Sequence, residues 1–293
     1  YTTLLANYLA RPMAEAFEAK YPGVKVEMVN GNAGDLYQKI QAESDAGQIL
    51  ADVHGAFSVA ESFNRNGMTE PYIPESAKGF APEYIDKDGK YMRLLSYYLG
   101  VAVNTELVKP EDYPVTQEDL LKPMWKGKMV WAGGPLGGGP AYIGSTLLLK
   151  GEDKGMEFVR KLADQNVISM PANQRVVLDS VISGENMLGI GMYNHHIPIS
   201  KAKGAPIAFL KVAPIQASGQ YVFLLKGPHR NAGKLFLDFM MSDEGQQVIK
   251  AAGYIPTSPN VDAKIAELRP EAGDFEVVNF TPAWLLDNRD RLV

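Results

Sequence analysis

The chain has 293 residues, of which 46% are apolar and 22% charged, with a net charge of −5, no cysteine and four histidines. That length buries a large core and accommodates two domains, the composition excludes a disordered chain, and the missing thiols exclude disulfides, cysteine nucleophiles and cysteine-ligated metals. The acidic balance offers no basic stripe for nucleic acid, and no apolar run is long enough to span a bilayer.

Tyr1-Thr2-Thr3-Leu4-Leu5 reads as the end of a first strand. Tyr8 to Lys20 follows as a helix with Met13, Ala16 and Phe17 on its apolar face, and Pro22-Gly23 turns the chain into a strand over Val24 to Val29. Asn30-Gly31-Asn32-Ala33-Gly34 leads to a helix from Asp35 to Ala46. Ala51 to His54 is a short buried strand, with a helix over about Ala56 to Asn66 after it. Tyr97 to Asn104 is an apolar strand, Thr116 to Leu121 a short helix, and Trp125-Lys126-Gly127-Lys128-Met129-Val130 runs into another strand. Gly133 to Gly139 is glycine-rich, and Pro140 is suited to open a helix carrying Leu147 to Leu149. Helices over Asp153 to Gln165 and Gln174 to Ser183 precede a buried strand, Met187 to Met192, which ends in Tyr193-Asn194-His195-His196. Tyr221 to Leu225 is a strand, and Asn231 to Met241 and Glu244 to Ala251 are helices. Gly253 suits the left-handed position after a helix, Pro256 and Pro259 prevent the helix from resuming, and the tail from Ile265 is helical in part. Strands and helices alternate almost throughout, which implies an α/β sandwich with mostly parallel strands.

In open α/β sheets ligands sit outside the carboxyl ends of strands, where helix N-termini present free N–H groups and a positive dipole end. Two turns qualify: Asn32-Ala33-Gly34 before one helix, and Gly137-Gly138-Gly139 before the helix that Pro140 and Ala141 open. Glycines there serve a tight turn equally well. Histidine is the second clue. His54 ends a buried strand, His195 and His196 follow another, and His229 lies in Gly227-Pro228-His229-Arg230, which reads as a surface turn. Imidazole donates hydrogen bonds to carboxylate or phosphate and also ligates zinc, copper or ferrous iron. Tyr193 is either buried or binding. Thr2, Thr3, Ser58, Gln174 and Tyr221 supply polar groups for orientation. Neither a G-x-S-x-G elbow nor H-E-x-x-H is present, so a metal-dependent hydrolase would rest on the histidine pair alone.

The string from Ser242 to Val261, SDEGQQVIKAAGYIPTSPNV, closely resembles a segment of the extracellular solute-binding proteins that feed ABC importers. With YTTLL, the loop before LYQKI, ADV, WKGK and the glycine-rich turn, most of the chain resembles the class II periplasmic binding proteins (extracellular family 1), near the ferric-binding group. The resemblance implies the periplasmic-binding-protein type II fold: α/β, two lobes with mixed sheets, and a ligand cleft between the lobes that closes by a hinge motion. Lobe one is expected over 1–103 and 222–265, lobe two over 104–221, with 266–293 packing on the lobes. The two helix-opening turns fall on opposite lobes, and His54, Asn194, His195 and His196 fall at ligand-contact positions. A monomer is expected, periplasmic or extracellular and tethered, its signal peptide removed, without a cofactor, and partnered by a membrane permease. Ferric-binding relatives carry a tyrosine pair where this chain has His195-His196. The ligand expected is therefore a small anionic organic solute (a phosphorylated sugar, a phosphonate or a carboxylate), with a ferric or divalent metal ion as the alternative. Were protonated imidazole the donor, affinity would fall as pH rises past roughly 6.5 to 7.5.

Overall fold

The structure is a computed structural model that describes residues 1–4, 6–134, 138–213, 215–269 and 277–292. A wide helical turn at Ala6–Ala10 runs into α1 (Arg11–Lys20), which buries Met13 and Phe17. Then come α2 (Ala33–Asp45), β1 (Val53–Gly55), α3 (Ala60–Arg65), β2 (Thr69–Glu70) and the long strand β3 (Met92–Asn104). The middle of the chain forms β4 (Met129–Ala132), α4 (Gly138–Lys150), α5 (Glu152–Ala163), β5 (Ile168–Met170), α6 (Gln174–Ile182), β6 (Leu188–Tyr193), α7 (His196–Lys201) and β7 (Ile207–Leu210). The last part forms β8 (Ile215–Leu225), α8 (Arg230–Met241), α9 (Asp243–Ala251), β9 (Ile255–Pro256), β10 (Val277–Asn279) and α10 (Pro282–Asn288).

The chain divides into two compact units, 1–96 with 219–266 and 97–218 with 267–293. The expected divides at 103/104 and 221/222 lie a few residues away, at the close of β3 and inside β8. Residues 267–293, expected to pack on the lobes in general, group with the second unit.

In the first unit β8 is flanked by β1, with Val53 opposite Leu224, and by β2, with Thr69 opposite Leu225. Phe63, Phe223, Ile40, Tyr91 and Tyr221 pack there as one core. The strand expected over Val24 to Val29 forms no ladder, and only Asn30 pairs, by one bridge to Thr2. The Glu18 carboxylate takes the Val26 amide at 2.8 Å, the donor a ladder would need. A cavity of about 520 Å³ lies beside this segment, bounded by Val26, Met28, Val53 and Phe236. The SDEGQQ…GYIP string has a clear physical role. Gln246, fully buried, donates to the Leu94 and Met240 carbonyls and accepts from the Thr257 and Ser258 amides. One side chain thus ties β3, α8 and the return after Gly253 together.

In the second unit β6 lies antiparallel to β3 and parallel to β4, and β5 runs parallel to β4. Trp125, Met129, Leu188 and Ile190 fill one core cluster; Val130, Val177, Leu178 and Met192 fill another. Burial on both faces explains why Met187 to Met192 is apolar without alternation. The expectation of mostly parallel strands is overturned. β3 pairs antiparallel with β6, β7 and β9, and β8 antiparallel with β1 and β2, so the sheet is mixed. β5, α7 and β7 were not foreseen. Ile168 is exposed, so β5 carries no burial pattern, and Pro198 disguises α7, although proline is tolerated in a first turn.

Candidate functional site

In the second unit, β4, β5 and β6 run parallel, so Ala132, Met170 and Tyr193 end at one edge. The N-termini of α4 and α6, and the His195-His196 pair, follow these strand ends. Asn173 caps α6: its Oδ1 accepts from the Arg175 and Val176 amides at 2.9 and 3.1 Å. Gln174, the first residue of that helix, is buried. Gly137 lies outside the described residues. A Cβ on Gly138 would stand 2.5 Å from the Gly191 carbonyl oxygen, and one on Gly139 would stand 2.9 Å from the Trp131 ring. Close helix–strand packing therefore requires both glycines, and Ala141 is half-buried, its carbonyl accepting from Ser145.

Four rings gather beside this edge. Tyr193 stacks on His195 at 5.4 Å and meets His196 edge-on at 5.3 Å; Tyr97 meets Tyr193 at 4.9 Å. His195 is 4% exposed, and burial, reinforced by His196, holds its pKa well below 6.5. Burial pushes His196 down to about 4, with the Arg175 guanidinium adding to the effect and the Asp179 carboxylate opposing it. Both imidazoles are neutral at pH 7, so of the two protonation states open to a donor the neutral one applies, and each ring has one N–H to give. His196 Nδ1 is buried with no hydrogen-bond partner among the described residues. Asn194 is engaged within the fold. Its Oδ1 accepts from the Tyr98 amide and its Nδ2 donates to the Leu268 carbonyl, both at 3.1 Å, which uses both ends of the amide internally.

In the first unit Asn32 caps α2, accepting from the Asp35 amide at 2.9 Å and donating to the Asp35 carboxylate at 2.5 Å. Ala33 is half-buried and Gly34 exposed. The carboxylate of Asp35 already occupies the dipole end that an anion would seek. Thr2 Oγ1 accepts from the Leu4 amide, while Thr3 Oγ1 donates to the Gly55 carbonyl and accepts from Gln220 at 2.7 Å. Ser58 is half-buried in the turn before α3. His54 departs from expectation. It is 0% exposed, donates from Nδ1 to the Tyr1 carbonyl at 2.9 Å, and sits between the Phe63 and Phe223 rings. Burial lowers its pKa to about 3. It is a core residue, because its position on β1 turns it toward α3 rather than off the strand end. Tyr221 is buried, stacked on Phe57 and edge-on to Tyr91, and its hydroxyl accepts from Arg93 Nε and Nη2 at 3.2 and 3.0 Å. His229 is exposed on Asp52, a surface position as expected.

Among the described residues no group of three or more histidine and acidic side chains converges to hold a metal ion. The model of the bacterial extracellular solute-binding protein family matches residues 50–281. The chain belongs to that family. This solute-binding protein is similar to iron uptake protein A1 of Synechocystis sp. (22% identity, covering 79% of this chain and 68% of the relative). It is also similar to the probable ABC transporter periplasmic-binding protein y4fP of Sinorhizobium fredii (23% identity, covering 85% and 72%). Its fold matches the periplasmic binding protein AfuA of Actinobacillus pleuropneumoniae, solved with fructose 6-phosphate bound: TM-score 0.80, 25% identity, covering 100% of this chain and 94% of that one.

Two residues of this solute-binding protein escaped the sequence reading, Tyr97 and Arg93. Tyr97 belongs to an aromatic pair inside an apolar strand, and its ring joins Tyr193 and His195 only through the β3–β6 pairing. Arg93 left a clearer signal: a lone charge within the apolar run Tyr91 to Val103.

Proposed function

We propose that this chain is the periplasmic binding component of an ABC importer and captures a small anionic organic solute, without catalysing a reaction. Family membership supports solute binding, and the name of the Sinorhizobium relative supports the importer and the compartment. The observation that carries the anionic class is the buried, unpartnered His196 Nδ1 at the edge where α6 begins, near the Arg175–Asp179 ion pair and without a converging set of three or more histidine and acidic side chains among the described residues. A nitrogen there that carries the ring proton, with helix N–H groups nearby, suits a phosphate or carboxylate oxygen. The AfuA structure with fructose 6-phosphate bound supports the same class.

Ferric-ion capture is the second reading. The Tyr97 and Tyr193 phenols beside two imidazoles favour it, as does the likeness to an iron uptake protein. Thermal melting with fructose 6-phosphate, citrate, fructose and ferric ion separates the two. A ligand of the folded state at a hundredfold excess over Kd adds about 2.7 kcal/mol. A shift with the phosphate ester or citrate and none with fructose supports the anionic solute. A shift with ferric ion alone replaces it with the metal, and no shift with any small solute or metal removes the binding function.

A further inference from the structure

Arg93 is a cation in an unusual setting. Its residue is 2% exposed. Among the described residues no carboxylate lies in ion-pair contact with it, and its side-chain hydrogen bonds all go to one phenol oxygen, that of Tyr221. The guanidinium carbon lies 4.7 Å from the Tyr84 ring centre and 5.5 Å from that of Tyr221, so two aromatic faces replace part of its hydration. Of the five N–H donors of an arginine, two reach Tyr221, which leaves three. The Tyr221 hydroxyl accepts from Arg93, and its own proton meets no acceptor among the described residues. Donors collect here with nothing to receive them. A buried charge is costly unless it is paired.

The fold also reserves room for this side chain. A Cβ on Gly219 would come within 2.3 Å of the Leu95 carbonyl oxygen, 2.7 Å of Arg93 Cγ and 2.8 Å of Cδ, so glycine at 219 serves both the close approach of β8 to β3 and the arginine stem that lies across it. The Tyr221 ring is held in turn by Phe57, stacked at 5.7 Å, and by Tyr91, edge-on at 5.6 Å. The position of the phenol is therefore fixed before any ligand arrives.

We infer that Arg93 and Tyr221 form an anion receptor in the first unit, recognising a phosphate or carboxylate group of the solute through guanidinium N–H groups and the phenol O–H. The inference rests on the anionic-solute reading and names the residues that set that specificity. Guanidinium geometry matches two oxygens of a carboxylate or phosphate at once, which an ammonium cannot reproduce.

The test is calorimetric titration and thermal melting with inorganic phosphate, citrate and fructose 6-phosphate on the whole chain and on Arg93→Met, Arg93→Lys and Tyr221→Phe. Circular dichroism provides the fold control. Expected is anion binding by the unmodified chain, weakened at least about tenfold in Arg93→Met and in part restored in Arg93→Lys, the scale of a charge-assisted hydrogen bond. Arg93→Met should also melt no lower than the parent in anion-free buffer. Tyr221→Phe, which keeps the ring, should weaken binding by a smaller factor, and it serves as the deciding variant should Arg93→Met fail to fold. Equal anion affinity in the parent and the folded variants overturns the inference while leaving solute capture intact. So does a melting shift given only by uncharged or cationic solutes. No shift with any solute overturns both.

Discussion

His54 in the first unit and His196 in the second both stand next to buried strands, and burial leaves both neutral at pH 7, with pKa values lowered to about 3 and about 4. Their surroundings differ. His54 lies within β1 and points across the layer at Phe63 and Phe223. His196 lies beyond the end of β6, at the first position of α7, against Tyr193. A histidine within the strand is committed to the core by the period-two alternation of side chains, whereas one past the strand end is released to the sheet edge where ligands bind. Adjacency to a buried strand is therefore not the criterion. Position relative to the last paired residue is.

The comparison breaks most visibly in the core around His54. Phe63→Ala removes a fully buried ring packed on His54 and Phe223 and should cost about 3–5 kcal/mol in urea unfolding. A cost below about 1 kcal/mol would show that this side of β1 is loosely packed and His54 is not committed to it. Next in size is Asn194→Ala, which strands the Tyr98 amide and the Leu268 carbonyl. It should cost about 1–3 kcal/mol of stability for each buried group left unpaired. Loss of solute affinity with full stability would instead return Asn194 to the ligand.

Acid sharpens the comparison from both sides. The unfolded histidines titrate near 6.5, and His54, His195 and His196 have lower pKa values in the fold. The unfolded chain therefore takes up protons first. The contribution of these groups is whole above about pH 6.5 and is lost as pH falls from there toward about 4 for His196 and about 3 for His54. The urea midpoint should drop between pH 7 and pH 5, and less so in His54→Gln. Solute affinity should stay flat between pH 7 and pH 8, because the imidazoles are already neutral; a decline over that interval would restore the protonated donor.

The smallest effect belongs to the edge itself. His196→Ala should weaken fructose 6-phosphate binding by roughly two- to tenfold, the scale of one neutral hydrogen bond, with His229→Ala unchanged. Equal affinities in all three proteins would make His196 structural.

Much of the fold was legible in the chain. α2, α6, α8 and α9 fall where helices were expected, and the runs around Val101, Ile190 and Phe223 announce buried strands. Strand direction was not legible, because alternation of strand and helix does not reveal that β3 and β8 take antiparallel neighbours. Of the candidate site, position along a strand was legible: His195 and His196 lie beyond the end of β6, and Gln174 opens α6 beside the same edge. The burial of His54 and the internal hydrogen bonds of Asn194 were not, because both depend on which neighbours the fold supplies. A glycine required by close packing against Gly191 and Trp131 has the same sequence as one kept for a ligand.

Native mass spectrometry of the chain, purified gently from the cells that produce it, tests the central claim most directly. The account predicts a one-to-one adduct that dissociates on denaturation into a small organic anion carrying a phosphate or carboxylate group. An adduct with the mass and isotope pattern of a metal ion and no organic anion, or release of an uncharged solute, would contradict it.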